Sequence, residues 1–484
     1  MKWLRLAVSL MLSPLIVNRY LAAEVARDTG NHPLAIVGGT LIDVSNFGDS
    51  AHDLPDAVIV LRGGLIEAVG DRDHVKVPHD AKVIDAAGAY IIPGLIDGFG
   101  ALRRQRFSSA YLYEGVTSVF VQLSPTGQDG EVALFAEPSG SHEQTPDVLL
   151  GGMIGGYAAD GTTSQQHPWT DRRLHDNRLT YAELTARVDQ VAASGARGLL
   201  VGYDVWPDQL DVVVREAHAR GLITMGEMAF TTYPYAVRAG VDVLLRNDRY
   251  ETAIDLAQDW LPYSDDPMGN SGAPGYRGVC QSDLHSAQVT EFGKQLANSH
   301  TALMPMLSIE ANADDLNMPN PWTRPSAAFV KASDLDDPVD PTTGVHPYLA
   351  SHPGRAKALQ TCAYHRQNLD ARFHALGAHY IAGSATPAFG NVPGGGLHGE
   401  LDLLQRVGLT PREALAAATW NFTEIYGWKD RGLLAAGRRA DIVLLTEDPR
   451  KDVKATQAIK IVIVGGYVVD RNSLMTGAKR NKES

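Results

Sequence analysis

Short apolar runs separated by turn residues occur at both ends of the chain. They fill residues 34–84, where turns such as Arg62-Gly63-Gly64 divide them, and they return at residues 440–445 and 459–470. Runs of this length, bounded by Gly, Asp and Asn, are typical of β-strands. Because they lie at both ends of the chain, the pattern predicts one small β-domain assembled from the two termini.

The central part of the chain alternates apolar runs with stretches of helical periodicity. Residues 181–194 carry apolar side chains every three to four positions, which predicts an amphipathic helix, and 199–201 then predicts a buried strand. This order recurs until the final units at 296–309 and 369–382. Repeated strand–helix units predict a closed parallel (β/α)8 TIM-like barrel. We therefore expect an α/β fold with a barrel and a small β-domain built from both termini.

These patterns divide the chain into predicted parts. Residues 34–90 and 426–472 form the composite β-domain, and residues 91–425 form the barrel. Residues 1–23 resemble an export signal, because a basic start is followed by an apolar run that is too short to span a bilayer. We expect an exported protein, periplasmic or secreted. An N-terminal helix of a cytoplasmic protein, or a membrane-surface anchor, is the alternative.

The overall charge of the chain restricts its partners. Lys and Arg number 43 against 56 Asp and Glu, which gives a formal net charge of −13. A nucleic-acid partner requires a basic face, so none is expected, and no further segment is long and apolar enough to cross a membrane. Cys280 and Cys362 are the two cysteines, and an exported protein could pair them, although the sequence does not show whether they meet.

The stretch Pro93-Gly94-Leu95-Ile96-Asp97 ends an apolar run, 90–96, that predicts a buried strand opening onto a glycine-bearing turn. It resembles the first barrel strand of the amidohydrolase superfamily, in its imidazolonepropionase and prolidase-like branch. Residues 432–444 are similar to the C-terminal signature of the same family. The resemblance implies a barrel with a companion sandwich. It also implies a hydrolase of carbon–nitrogen bonds, whose metal ion makes hydroxide from water at the barrel mouth.

The positions that would hold this metal carry other side chains. A catalytic metal needs imidazole and carboxylate ligands with an open coordination position. No His-x-His or His-Glu-x-x-His occurs among the 16 histidines. The family's ligand positions are occupied by Phe99, Ala101, Leu200, Glu227, Arg246 and Ala385. We therefore predict no metal site and no cofactor.

Glu227 and Arg246 are the charged residues at these positions, and two interpretations remain open. They form a buried ion pair that keeps the mouth neutral, or Arg246 binds an anionic ligand while Glu227 acts as acid or base. Asp204 is a further weak catalytic candidate, and Tyr203 and His167 are candidate ligand-binding residues. Asp97, in contrast, is expected to be a hydrogen-bonding fixture of the frame.

Two hypotheses about function follow from this altered site. The first is a metal-free relative, a pseudoenzyme in the hydrolytic sense, that binds a small molecule, has a structural role or catalyses metal-free chemistry. The second is an active hydrolase of carbon–nitrogen bonds in small or dipeptide-like substrates. Two long loops, 259–283 and 310–353, are lids over the mouth or surface decoration. A homo-oligomer is compatible with the sequence.

Overall fold

A computed structural model describes residues 33–122, 145–155, 178–202, 204–228, 230–254 and 279–483. The strands are β1 Leu34–Val37, β2 Thr40–Leu41, β3 Leu54–Pro55, β4 Ala57–Arg62, β5 Leu65–Asp71, β6 Lys82–Asp85, β7 Tyr90–Pro93, β8 Leu95–Gly100, β9 Val116–Gln122, β10 Asp147–Ile154, β11 Gly198–Val201, β12 Ile223–Gly226, β13 Val243–Leu245, β14 Ala302–Met304, β15 Ile442–Leu445, β16 Ile459–Val464 and β17 Tyr467–Val468.

The α-helices are α1 Gln105–Tyr113, α2 Tyr181–Ala193, α3 Pro207–Ala219, α4 Tyr233–Ala239, α5 Glu251–Ile254, α6 Ala287–Ala297, α7 Leu307–Asp314, α8 Pro347–Ser351, α9 Pro353–Ala375, α10 Gly395–Arg406, α11 Pro411–Ala417, α12 Asn421–Ile425 and α13 Arg471–Glu483. The predicted helix at 181–194 is α2, and a capping box starts it: the Thr180 hydroxyl accepts from the Glu183 backbone N–H, and the Glu183 carboxylate accepts from the Thr180 N–H.

A parallel sheet forms most of the barrel, with the strand order β14-β13-β12-β11-β10-β9-β8. Residues 379–382 bridge its two edges. The Leu303 N–H donates to the carbonyl of His379, and the Gly98 N–H donates to the carbonyl of Ala382, at 2.9 and 3.0 Å. The eighth predicted unit is therefore an extended connection with one isolated bridge, Leu303 to Tyr380, rather than a regular strand.

Apolar side chains fill the barrel interior. Ile96, Phe120, Leu200, Met225 and Leu245 belong to one buried cluster inside the parallel strands. Filling of the interior by layers of side chains from successive strands is typical of this architecture. The filled interior leaves no room for a ligand, so a ligand site of the barrel would lie at its mouth, where the strands end.

The two remaining sheets combine both ends of the chain. One has the order β5-β4-β1-β6, and the other has the order β17-β16-β15-β7-β2-β3. In the second sheet, β15 from the C-terminal part pairs antiparallel with β7 from the N-terminal part, with Ile442 opposite Pro93. The predicted fold class, a barrel-type α/β protein with additional β-sheets from both termini, is confirmed.

The stretch 90–96, predicted as one strand, is two strands separated by Gly94. Before Gly94, β7 pairs with β15, and after it, β8 pairs with β9 of the barrel. The Gly94 N–H donates to the carbonyl of Asp441 at 2.8 Å, and a Cβ on Gly94 would lie 2.1 Å from the Thr117 hydroxyl oxygen. Only glycine fits this close approach, so the chain passes from one sheet to the other here.

Cys280 and Cys362 form a disulfide, with their Cα atoms 4.8 Å apart. It joins the segment before α6 to the middle of α9, two elements that are 82 residues apart in the chain. None of the helices in the described ranges is both long and apolar enough to cross a membrane.

Candidate functional site at the barrel mouth

A cavity of about 480 Å³ lies at the C-terminal ends of the barrel strands. It is lined by Phe99, Gly100, Ala101, Arg103, Glu227, Arg246, Met306, Ile309, Asp336, Ala385, Thr386, Pro387 and Ala388. This is where barrels of this kind carry their ligand sites, and the volume suits a small organic molecule.

Asp97 fixes the frame beneath this cavity. It is fully buried, and its carboxylate accepts hydrogen bonds from the Ser384 hydroxyl at 2.6 Å, the Ser384 N–H at 2.9 Å and the Phe99 N–H at 3.2 Å. Burial raises the pKa of Asp97 to about 6 despite these bonds. Asp97 thus ties the end of β8 to the 379–385 segment, in agreement with its expected role as a hydrogen-bonding fixture.

Four of the residues that the resemblance places at ligand positions have side chains without a lone pair. We call Phe99, Ala101, Leu200 and Ala385 the apolar side of the mouth. Leu200 is buried in the barrel's interior cluster, and Phe99 packs against that cluster from the mouth. Carbon side chains cannot coordinate an ion, so these positions close the top of the barrel with apolar surface.

Arg246 lies at the end of β13, and three carboxylates surround it. Its guanidinium donates to both oxygens of Asp248, at 3.1 and 2.9 Å, and to Glu310 Oε1 at 2.9 Å. Glu227, at the end of β12, is more distant: its Oε1 lies 3.6 Å from Arg246 Nε, beyond ordinary hydrogen-bonding distance. The structure therefore brings the two predicted residues together, but the strongest partners of Arg246 are residues that sequence reasoning missed.

Further charged residues extend this arrangement into the interior. Arg249 Nε lies 3.6 Å from Glu227 Oε1, and Arg249 Nη1 lies 3.8 Å from Glu251. Arg366 of α9 donates to Glu310 at 2.9 Å and to Asp314 at 3.0 Å. We call these residues the charge network: Glu227, Arg246, Asp248, Arg249, Glu251, Glu310, Asp314 and Arg366.

Two members of the charge network, Asp248 and Glu310, could have been identified from their positions in the sequence. Asp248 follows Arg246 by two residues, and Glu310 follows β14, so both come after the C-terminal end of a barrel strand. A search of all strand ends, rather than of the family's ligand positions alone, would have found them. Arg366 gives no such signal, because it belongs to a long helix and reaches Glu310 only through the packing of α9 against α7.

Burial and charge have opposite effects on the acids of the network. Burial raises the pKa of Asp248, but the charges of Arg246, Arg249 and Arg366 outweigh it and lower the pKa to about 2. For Glu251, burial dominates and the nearby Asp248 adds to it, so the pKa rises to about 8. Burial likewise raises the pKa values of Glu310 and Asp314. Glu251 therefore holds its proton at neutral pH.

The backbone around the cavity adopts an uncommon conformation at three residues. Arg246, Met306 and Ala385 have φ values of 66°, 53° and 50°, in the region that favours glycine. Each follows the end of a barrel strand or the 379–382 connection. Non-glycine residues in this region carry backbone strain of order 1–3 kcal/mol and cluster at ligand sites. All three residues line the cavity.

The residues at this mouth do not fit the divalent metal that the amidohydrolase resemblance implies. Over the described ranges, no three His, Cys, Asp or Glu side chains are arranged to hold a metal ion. The carboxylates that do converge, those of Asp248 and Glu310, face the guanidinium of Arg246. We derive no chemical step through a metal.

The remaining predicted residues fall elsewhere. Asp204 lies beside Gly155: a Cβ on Gly155 would be 3.0 Å from each carboxylate oxygen of Asp204. Asp204 is not among the residues that line the cavity. Tyr203 and His167 lie outside the described residues. Their assignment, like the catalytic assignment of Glu227, stays a prediction.

The segment 310–353 is described throughout, whereas most of the other predicted loop, 259–283, lies outside the described residues. Asp336 of this segment lines the cavity, and its carboxylate accepts from Arg103 Nη1 at 2.7 Å. The Asp336 N–H donates to the carbonyl of Pro387 at 3.1 Å. These contacts favour a covering role for 310–353 over surface decoration.

Comparison with known proteins agrees with this architecture. The sequence model of the amidohydrolase family matches residues 355–469, which carry the last barrel elements and the strands β15 to β17. Solved structures with prolidase-like and hydrolase functions have the same fold over almost their entire length. The resemblance to the amidohydrolases is confirmed.

Curated relatives match this chain over short stretches. Adenine deaminase 2 of Rhizobium johnstonii is 43% identical over 82 residues, which is 17% of this chain and 13% of that protein. Enamidase of Eubacterium barkeri is 40% identical over 76 residues, 14% of this chain and 20% of that protein. The matched stretches therefore span a fifth or less of these relatives.

Structural similarity is much broader but weaker in sequence. A Xaa-Pro dipeptidase crystallised with methionine in its active site has a TM-score of 0.60 at 15% identity, covering 90% of this chain and 99% of that one. Molinate hydrolase has a TM-score of 0.57 at 16% identity, covering 92% and 96%. At these identities the similarity establishes the fold alone.

Proposed function

We propose that this amidohydrolase-type protein binds a small organic molecule at its barrel mouth and does not carry out metal-dependent hydrolysis. One observation carries the proposal. At the strand end where the resemblance implies a metal-binding histidine, Arg246 holds Asp248 and Glu310 by three hydrogen bonds of 2.9–3.1 Å. A guanidinium already satisfies these carboxylates, and it cannot lower the pKa of a bound water as a metal ion does.

The apolar side of the mouth supports the same conclusion. Phe99 and Ala101 stand at the two first-strand positions that the resemblance assigns to ligands, and Ala385 stands at the position assigned to the general base. Replacing one ligand would weaken a metal site, whereas here the change affects strand ends around the whole mouth. A cavity of about 480 Å³ nevertheless remains, which is the property that a binding protein requires.

Hydrolysis of a carbon–nitrogen bond is the second candidate function. It is favoured by the match to the amidohydrolase family and by relatives whose names are adenine deaminase and enamidase. The family match begins at residue 355, however, so of the altered positions it includes Ala385 and excludes Phe99, Ala101, Leu200, Glu227 and Arg246. Fold similarity does not establish activity, and the residues at the mouth outweigh it here.

Export is part of the proposal. The Cys280–Cys362 disulfide supports it, because disulfides persist in oxidising compartments and are rare in the cytosol. Fractionation of cells expressing the full chain, followed by N-terminal sequencing, should find the protein outside the cytoplasm and beginning near residue 24. Recovery of the intact chain in the cytoplasmic fraction would overturn this part.

Metal analysis of the purified full-length protein tests the main proposal. We expect substoichiometric zinc, manganese and iron by mass spectrometry, and an unchanged melting temperature after treatment with a chelator. A panel of small metabolites should contain compounds that raise the melting temperature. A stoichiometric metal whose removal abolishes hydrolysis of a carbon–nitrogen bond would overturn the proposal and establish the second candidate.

A further inference from the structure

The Cys280–Cys362 disulfide lies against the charge network. Arg366 Nη1 donates to Cys362 Sγ at 3.4 Å. The other terminal nitrogen of the same guanidinium, Nη2, donates to Glu310 and to Asp314. Cys362 and Arg366 are four residues apart on α9, so their side chains share one face of this helix. A single side chain, that of Arg366, therefore connects the disulfide to the acids of α7.

The two sulfur atoms of this disulfide differ in their surroundings. Cys362 is 5% exposed, whereas Cys280 is partly exposed in the turn before α6. A thiolate that attacks one sulfur of a disulfide displaces the other as a thiolate, and a neighbouring guanidinium stabilises such a leaving group. A thiol from solution can reach Cys280, and Arg366 stabilises the thiolate that leaves on Cys362. Both properties favour opening of the disulfide in the folded protein.

Opening the disulfide changes the charge that Arg366 faces. A disulfide sulfur is a neutral, weak acceptor, but a thiolate on Cys362 is an anion that competes with two carboxylates for this guanidinium. Glu310 binds Arg366 through Oε2 and binds Arg246 through Oε1, in both cases at 2.9 Å. A weaker hold of Arg366 on Glu310 thus affects Arg246, which lines the cavity.

We infer that the Cys280–Cys362 disulfide is a redox-sensitive switch on the barrel mouth: a small thiol opens it in the folded protein, and opening loosens the contact of α9 with α7. The inference goes beyond the proposed function, because it holds whatever molecule the cavity takes. A hydrogen-bonding contact of Ser282 Oγ with His365 Nε2, at 3.1 Å, joins the same two segments and is not broken by reduction. We therefore expect a local change rather than separation of the segments.

The chemistry takes two steps with glutathione as the thiol. In the first, a glutathione thiolate attacks Cys280 Sγ, the S–S bond breaks with its electron pair on Cys362 Sγ, and a mixed disulfide of Cys280 with glutathione forms. In the second, another glutathione thiolate attacks the glutathione sulfur of this mixed disulfide. Glutathione disulfide leaves, and Cys280 is released as a thiolate that takes a proton from solvent. The protein gains two electrons, and two glutathione molecules are oxidised.

Trapping of the first step tests the direction of attack. The full-length protein is incubated with excess glutathione at pH 8 without denaturant, its free thiols are alkylated, and the modified peptides are identified by mass spectrometry. We expect glutathione on Cys280 and the alkyl label on Cys362. Arg366→Met should slow this step about threefold to tenfold, because the leaving thiolate loses its counter-charge. Arg215→Met, on the exposed face of α3, should not change the rate.

Three outcomes of the trapping experiment would contradict the inference. They are glutathione mainly on Cys362, no reduction of the folded protein, and equal rates for the wild type and a folded Arg366→Met variant. A second measurement covers the case in which Arg366→Met does not fold, because it needs no change at Arg366.

Hydrogen–deuterium exchange provides this second measurement and tests the coupling to the mouth. At pH 8 the reduced wild type should take up more deuterium in α7 than the oxidised protein does, while β4, in a separate sheet, should not change. The double variant Cys280→Ser with Cys362→Ser also lacks the disulfide but has no thiolate, so its uptake in α7 should stay below that of the reduced wild type. Equal uptake in these two proteins would refute the coupling through Arg366. A stoichiometric catalytic metal, which would overturn the proposed function, is a separate outcome.

Discussion

The two sides of the barrel mouth differ in how they fill positions that the fold resemblance assigns to metal ligands. On the apolar side, Phe99, Ala101, Leu200 and Ala385 have carbon side chains, and they pack on the barrel interior or line the cavity. On the other side, the carboxylates of Glu227, Asp248 and Glu310 lie close to guanidinium groups. Arg249, Arg246 and Arg366, respectively, are their partners. Positive charge is needed only where buried acids persist, because an uncompensated buried carboxylate costs several kcal/mol.

This comparison predicts that the two sides respond differently to substitution. The charge network should be sensitive to the loss of any one guanidinium and to pH. The apolar side should tolerate a change of shape and should respond little to pH. The following variants test this difference, and each is measured by urea-induced unfolding of the full-length protein.

Arg366→Met should have the largest effect. Arg366 is 1% exposed and bridges Glu310 and Asp314, so its loss leaves two buried carboxylates with less compensation, at a cost of about 3 kcal/mol in the free energy of unfolding at pH 7. The cost should shrink at pH 5, because both acids have raised pKa values and protonated carboxyls need no counter-charge. Arg215→Met, which breaks an exposed pair with Glu216, should cause no measurable change. Equal effects of the two variants would contradict the prediction.

Glu251→Gln should change how stability depends on pH. The pKa of Glu251 is raised from its ordinary 4.5 to about 8, chiefly by burial. Between these values the native protein holds a proton that the unfolded chain has released, so rising pH destabilises the fold by up to about 1.4 kcal/mol per pH unit. Glutamine cannot ionise, so the variant should lose less stability between pH 5 and pH 8 than the wild type.

The exposed Glu424 supplies the matched control for this pH series. Glu424→Gln should keep the pH dependence of the wild type. If Glu251→Gln follows the same curve as this control, Glu251 is not a protonated buried acid, and the charge balance of the mouth must be revised.

Phe99→Leu should have the smallest effect. Both side chains are apolar and Phe99 is only partly buried, so we expect the lost contacts to cost about 1 kcal/mol. The dependence of stability on pH between 5 and 8 should match that of the wild type, since the substitution changes no ionisable group and Phe99 packs on the apolar interior cluster. A cost as large as that of Arg366→Met, or a changed pH profile, would mean that the two sides are not independent.

Much of the architecture could be predicted because it depends on local patterns. The helix at 181–194 was expected from its apolar spacing and is Tyr181–Ala193 in the structure. The structure of the stretch 90–96 was harder to predict. Its hydrophobic periodicity does not show that the strand before Gly94 and the strand after it belong to different sheets. That change of partner depends on the backbone of Asp441, which is far away in sequence.

The candidate site was predicted only in part, for a related reason. The positions of Glu227 and Arg246 followed from the resemblance of the strand ends to those of the amidohydrolases. Their assignment as an isolated pair was too simple, because Asp248 and Glu310 bind Arg246 more closely than Glu227 does. The distances among side chains on different strands depend on the barrel's closure, which no single segment encodes.

The sequence by itself therefore determined the kinds of elements and their order, since both depend on residue identity and local spacing. The tertiary structure alone decided which charges meet. Arg366 reaches Glu310 across 56 residues of chain, and Cys280 reaches Cys362 across 82. Electrostatic energy depends on distance in space and on burial, and both are properties of the packed molecule rather than of any stretch of its chain.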